Sequence, residues 1–173
     1  MKKPFAKIFA VALAILSSTS FFNFKTNAAT ELDDEKLTAI STSCSIIKDN
    51  IKTIQHEDSR IRIHLGGYYT AILSNFITPL NLILVRNNTP NTNLTENQTN
   101  YVAARSKFAS DYIKYQKDLE ELLTIDCVNE PAKFYDKLTA TRENRAKVAT
   151  DVTNLNSLVD KQLKLVKNLK EGL

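Results

Sequence analysis

Residues 37–72 read "LTAISTSCSIIKDNIKTIQHEDSRIRIHLGGYYTAI". Steps of three and four from Leu37 give Ile40, Cys44, Ile47, Ile51, Ile54, Asp58, Ile61, Leu65, Tyr68 and Ile72. Only Asp58 interrupts the apolar line, so the spacing predicts one long amphipathic helix with a coiled-coil-like seam. "RIRIHL" alone alternates like a strand, but the seam on either side outweighs it. Gly66 and Gly67 lie inside the pattern and cost about 1 kcal/mol each against alanine in a helix. A close approach by another backbone, or a local break, is the expected reason for them. Pro79 is expected to kink or end the helix, with "LNLILV" adding a further turn or two.

Two more seams follow. Val102, Arg105, Phe108, Tyr112, Tyr115, Leu119 and Leu122 mark a second helix. Phe134, Leu138, Thr141, Arg145, Val148, Val152, Leu155, Val159, Gln162, Val166 and Leu169 mark a third. The polar run "RNNTPNTN" separates the first pair. "DCVNEP" separates the second, where Asn129 suits a cap and Pro131 a first helical turn. The expected fold is all-α: an elongated up-down-up three-helix bundle, with helices over about 33–78, 95–123 and 130–171.

The chain opens with "MKKPFAKIFAVALAILSSTSFFNFKTNAA". A lysine-rich front, the apolar run Ile8–Leu16 and small residues at Thr26 and Ala28 form the three-part layout of a secretory signal over residues 1–28. Phe21, Phe22 and Phe24 prolong the apolar stretch, so an uncleaved anchor is the alternative. Residues 29–173 then form the exported domain. The full chain carries 23 basic and 19 acidic residues. Lys2, Lys3, Lys7 and Lys25 fall in the leader, which holds no acid, so the rest is balanced. Nucleic acid is thereby excluded as a partner, because a polyanion needs concentrated positive charge.

Cys44 and Cys127 are the two cysteines. In an oxidising compartment they are most simply one disulfide. A turn near Pro79 sets them within about one helical turn of each other, and the same register brings Asp58 against Arg142 or Arg145, a buried polar pair. There is no Cys-x-x-Cys motif, no zinc-ligand spacing and no lipoprotein cysteine after the leader.

"LTENQ", Leu94–Gln98, resembles the short Leu-Thr-x-x-Gln signature of a family of helical periplasmic stress chaperones. Thr95 with Gln98 is also a capping box, and it stands where the second helix is expected to begin. It is read here as a helix start. His56 and His64 are eight apart and match no metal-binding pattern. No nucleophile elbow, phosphate loop or haem-attachment motif occurs, so no catalytic residue, metal or cofactor is assigned. Aromatic residues at helical spacing belong to a core. Tyr69, Tyr101 and Tyr135 lie beside the seams and are the candidates for an exposed interaction surface. Lys161, Lys164, Lys167 and Lys170 face away from Leu163, Val166 and Leu169, as on a solvated bundle face or one resting on an anionic surface.

The layout "HLGGYYTAI…TPLN…NN", "DYIKYQKDLEELLTIDC" and "FYDKL" resembles a group of small exported helical proteins from reduced-genome bacteria. The resemblance spans most of the mature chain. It implies an exported helical fold and carries no functional residue across. The expectation is a non-enzymatic envelope or secreted module, in the periplasm, at the cell surface or outside the cell. Its partner would be a protein or an envelope component. A periplasmic chaperone or stress sensor is the alternative.

Overall fold

The computed structural model describes residues 33–171, so the proposed leader lies outside the described residues. The helices are α1 (Asp34–Thr42), α2 (Cys44–Ile72), α3 (Thr78–Arg86), α4 (Thr92–Thr124) and α5 (Pro131–Glu171). A π-helical stretch, Leu73–Ile77, joins α2 to α3. α2, the π stretch and α3 are one unbroken run of 43 residues. The described chain is therefore all-helical, with four helical segments where three were expected.

The first difference is at Ser43, which separates α1 from α2. Serine and threonine crowd this stretch, and their hydroxyls compete for backbone carbonyls. Thr42 donates to the carbonyls of Thr38 (2.9 Å) and Ala39 (3.2 Å). Ser41 donates to Val128 in the α4–α5 loop at 3.1 Å. α1 thus leans on the far side of the disulfide and buries Ile40.

Pro79 neither ends nor breaks the helix. It sits in the first turn of α3, where its missing N–H costs least. The turn ahead of it is widened: the Thr78 N–H bonds back to the Leu73 carbonyl, five residues away. A π turn gives the proline ring room that a regular turn lacks. The run then ends at Asn87 in a Schellman motif. Asn88 adopts φ 57°, its N–H bonds the Val85 carbonyl (3.1 Å), and the Thr89 N–H bonds that of Leu84 (2.9 Å).

α4 begins earlier than the capping-box reading placed it. Asn91 is the cap, accepting from the Leu94 N–H at 3.1 Å. Thr95 is already inside the helix and donates to the Asn91 carbonyl (3.2 Å). Gln98 does not reach back to Thr95. It accepts from Asn81 (2.5 Å) and donates to Thr78 (3.2 Å), tying α4 to α3. α5 starts at Pro131, as its sequence implied. Asn129 donates to Asp126 rather than capping α5, and Asp126 organises the loop by accepting from the N–H groups of Val128 and Asn129.

α4 is the central element. It runs antiparallel to both α2 and α5, and its interface with α5 is the most extensive. One core cluster surrounds the disulfide: Ile40, Ile51, Tyr112, Tyr115, Leu119, Leu122 and Phe134. The other gathers Tyr69, Ile77, Tyr101, Ala104, Phe108, Leu155 and Val159. Edge-on or tilted ring contacts between Tyr69 and Phe108, Phe108 and Tyr112, and Tyr112 and Tyr115 link the two. In α2 only Ile51 and Tyr69 are fully buried. They are about five turns apart at 3.6 residues per turn. The expected seam chose Tyr68 because heptad steps fall about 20° behind a straight helix per repeat.

Candidate functional site

Cys44 and Cys127 are joined, with Cα atoms 5.6 Å apart and a sequence separation of 83. Cys127 is fully buried, held by the loop that Asp126 shapes. Asp58 meets Arg145, not Arg142. The Arg145 Nε donates to Oδ2 at 2.9 Å and a terminal nitrogen to Oδ1 at 3.1 Å. Tyr115 adds its hydroxyl to the same carboxylate at 2.7 Å. The Arg145 side chain remains 44 % exposed, whereas that of Asp58 is 13 % exposed. The pair is therefore half-buried rather than buried. Arg142, one helical position away from this face, is exposed.

Because the guanidinium retains water, Tyr115 makes the contact expensive to lose. Asp58→Ala strands a buried phenol hydroxyl and is expected to cost about 2 kcal/mol in urea unfolding. Arg142→Ala is expected to change stability by less than about 0.5 kcal/mol. Equal effects of the two substitutions would show that the triad holds nothing.

The α4–α5 interface contains polar groups that the apolar seams do not anticipate. Asp118 accepts from Lys137 at 2.6 Å and from Asn144. Lys137 also reaches Glu121 (2.5 Å), and Lys107 bridges Asp111 (2.5 Å) and Asp151 (2.8 Å). Asn97 donates to Gln162 (2.8 Å) and to the Leu158 carbonyl (3.1 Å). The pairs that cross the interface fix the α4–α5 register, since a slip of one turn would break them, whereas Lys107–Asp111 lies within α4.

Burial alone would raise the Asp118 carboxyl, but its bonds to Lys137 and Asn144 outweigh this and hold it below the ordinary carboxylate range. A depressed folded-state value stabilises the fold at pH above the unfolded value of about 3.9. That contribution disappears as pH falls through the folded value. In urea melts, the stability gap between the native chain and Asp118→Asn is expected to be level above about pH 4 and to shrink below it. A gap that persists into strong acid would contradict this assignment.

Of the three tyrosines expected at the surface, two are in the core. Tyr69 and Tyr101 are fully buried. Tyr69 donates to Asn156 (3.0 Å), and its carbonyl accepts the Tyr101 hydroxyl (3.1 Å). Burial pushes the Tyr69, Tyr101 and Tyr115 hydroxyls above their usual range. Tyr135 is half-buried against the disulfide-side cluster. A core role is therefore what their positions give. His56 and His64 are both exposed, and among the described residues no three histidine, cysteine or acidic side chains converge to hold a metal.

Lys161, Lys164, Lys167 and Lys170 are exposed on the last turns of α5; Lys167 pairs with Glu171 at 3.7 Å. The Asn97–Gln162 bond sets this segment beside the start of α4. It therefore shares one end of the fold with α3.

Two surface features were missed from the sequence. Gly66 and Gly67 lie in continuous helix, and a Cβ at either would meet nothing within 4 Å. Among the described residues no other backbone approaches them, and the helix does not break there. They floor an open groove of about 360 Å³, bordered by Arg62, Thr70, Arg105 and Phe108. Arg62 stacks over the Tyr112 ring at 5.4 Å. The second feature is apolar: Phe76, Leu82, Ile83 and Val85 are 47–68 % exposed, and α3 contains no buried residue. Its signal in the sequence is Leu65–Val85, 21 residues without a charged side chain. Comparison of the chain with protein-family models, with curated proteins and with solved structures yields no match.

Proposed function

We propose that this chain is an exported, non-enzymatic helical module that acts in the cell envelope or outside the cell by presenting its surface to a partner. One observation supports this reading most. The helical run Cys44–Arg86 contains a stretch as apolar as a membrane span, yet only 17 % of that stretch is buried. A core helix hides such a stretch, and this run does not. The run is held near both ends all the same, by the disulfide at Cys44 and by Asn81 and Thr78 bonding to Gln98. A braced helix with an unburied apolar face suits recognition, because binding then costs little ordering entropy.

The leader-like N-terminus and the cysteine pair support export. The test is in-cell crosslinking of the tagged chain, with identification of what is attached and of the fraction in which it is found. One recurrent partner in an envelope or extracellular fraction is the expected result. A broad set of unfolded envelope proteins would replace this reading with that of a periplasmic chaperone. Recovery from the cytosol alone would overturn both.

A further inference from the structure

Two features of the fold gather at one end. α3 and the π stretch before it expose Phe76, Leu82, Ile83 and Val85. The last turns of α5 bring four exposed lysines to the same end. The Asn97–Gln162 bond and the buried cluster that Leu155 and Val159 share with Tyr101 fix that placement. Beyond Gln162, α5 continues for nine residues, or about 14 Å at 1.5 Å per residue. α4 starts only five residues before Asn97, so the lysine-bearing turns project past its first turn. The acids in these segments are few: Glu96, Asp160 and Glu171.

We propose that this end docks on an anionic lipid bilayer. Phe76, Leu82, Ile83 and Val85 enter the interface, and the α5 lysines meet the headgroup phosphates. The proposal rests on the reading of the chain as a surface-acting module and names the partner of one of its surfaces. Apolar side chains next to a basic helix face are the combination that binds charged membrane surfaces. A protein with either feature alone gains much less. The docking is interfacial rather than spanning. Asn75 and Asn81 lie within the apolar run, and α4, with Glu96, packs beside it. A second copy of the chain is a poorer occupant, because a symmetric contact through this end sets one group of lysines against the other.

The chain contains no tryptophan, so one introduced tryptophan reports a single place. The full chain is prepared as Ile83→Trp and separately as Ile46→Trp, which lies at the disulfide end and is also solvent-facing. Each is mixed with phosphatidylcholine vesicles, with or without phosphatidylglycerol. Emission from Ile83→Trp is expected to shift to the blue with phosphatidylglycerol present and to be quenched by brominated acyl chains. Ile46→Trp is expected to stay unchanged, so insertion of the leader alone cannot imitate the result. Adding Lys164→Gln and Lys167→Gln to Ile83→Trp is expected to lower partitioning about twenty-five-fold, at about fivefold per lysine. Equal shifts at both positions, or none at either, overturn the proposal. So does binding that ignores the lysine substitutions, or a lipid-free shift that grows with protein concentration and accompanies a dimer mass. If vesicles fail while crosslinking still finds one envelope protein, the lipid assignment falls and the interaction-module reading stands.

Discussion

Replacing Cys44 and Cys127 with serine is expected to cost the fold about 4–5 kcal/mol, the largest single effect available in this chain. The bridge closes a loop across 83 positions of sequence, and its stabilisation in the chain-entropy view grows with loop length. Domains of this size hold roughly 5–15 kcal/mol in total, so most of the margin is at stake. The loss falls unevenly. Between Cys44 and Ser59, α2 fully buries only Ile51. Without the bridge, α1 and the first turns of α2 keep little beyond Ile40, Ile51 and the Asp58 contacts. Hydrogen exchange of the reduced chain is therefore expected to quicken first in α1 and early α2. Amides of α4 around Tyr101 and of α5 around Leu155, within the other cluster, are expected to hold their protection longer. Urea melts with and without reductant measure the total. A loss below about 1 kcal/mol would mean that the unfolded chain already keeps these segments together.

The bridge also shows what could be read without coordinates. Its pairing follows from two cysteines and a compartment, and helical registry brings Asp58 to Arg142 or Arg145, between which the structure selects Arg145. Both depend on which residues lie level along antiparallel helices. That is set by the seams and survives an error of a few residues in helix ends. The expected register takes the turn to be near Pro79, yet the chain turns beyond Arg86 instead. The cysteines still meet, because Cys127 lies in a loop that folds back over α1 rather than on a straight extension of α4. Exact caps were less legible. Asn91 and Thr95 both suit an N-terminus by type, and the choice falls to Asn91 because Gln98 is drawn to Asn81 and Thr78 on α3. That contact is remote in sequence and invisible to a local motif.

Burial was misread wherever an apolar scale stood in for geometry. α4 touches helices on two sides, so its buried face is wider than one seam and takes in Asn97, Ala104 and Asp118. Asn144, Asp151 and Gln162 of α5 are buried as well. A polar letter in the sequence does not say whether a lysine or an amide will meet it across the interface. The exposed apolar end has the opposite history. Leu65–Val85 carries no charge, yet α3 contains no buried residue. A function that resides on that face leaves no catalytic motif in the sequence.

Tyr69→Ala is the second large effect, expected at about 3–5 kcal/mol. Within its own cluster, Tyr69 is the side chain by which α2 reaches both α4 and α5. Its ring meets Tyr101 and Phe108 at centroid distances of 6.5 and 6.0 Å, and its hydroxyl bonds Asn156 on α5. Truncation opens a cavity at the centre of its cluster and leaves Asn156 without that donor. Tyr69→Phe keeps the ring and is expected to cost only about 1 kcal/mol. Tyr68→Ala, at the neighbouring 41 % exposed position, is expected to cost less than about 0.5 kcal/mol. Urea unfolding of the three variants separates packing from the hydrogen bond. The consequence for function follows from where the damage lies. α4 and α5 keep their polar pairs, while the run Cys44–Arg86 loses its Tyr69 attachment and stays held by the disulfide, by Asp58 and by the bonds of Thr78 and Asn81 to Gln98. If partner or membrane binding needs that run braced, Tyr69→Ala weakens binding at temperatures where the α4–α5 pair is still folded, and Tyr68→Ala does not. Binding that persists until the whole domain unfolds would show that the apolar end works without the brace.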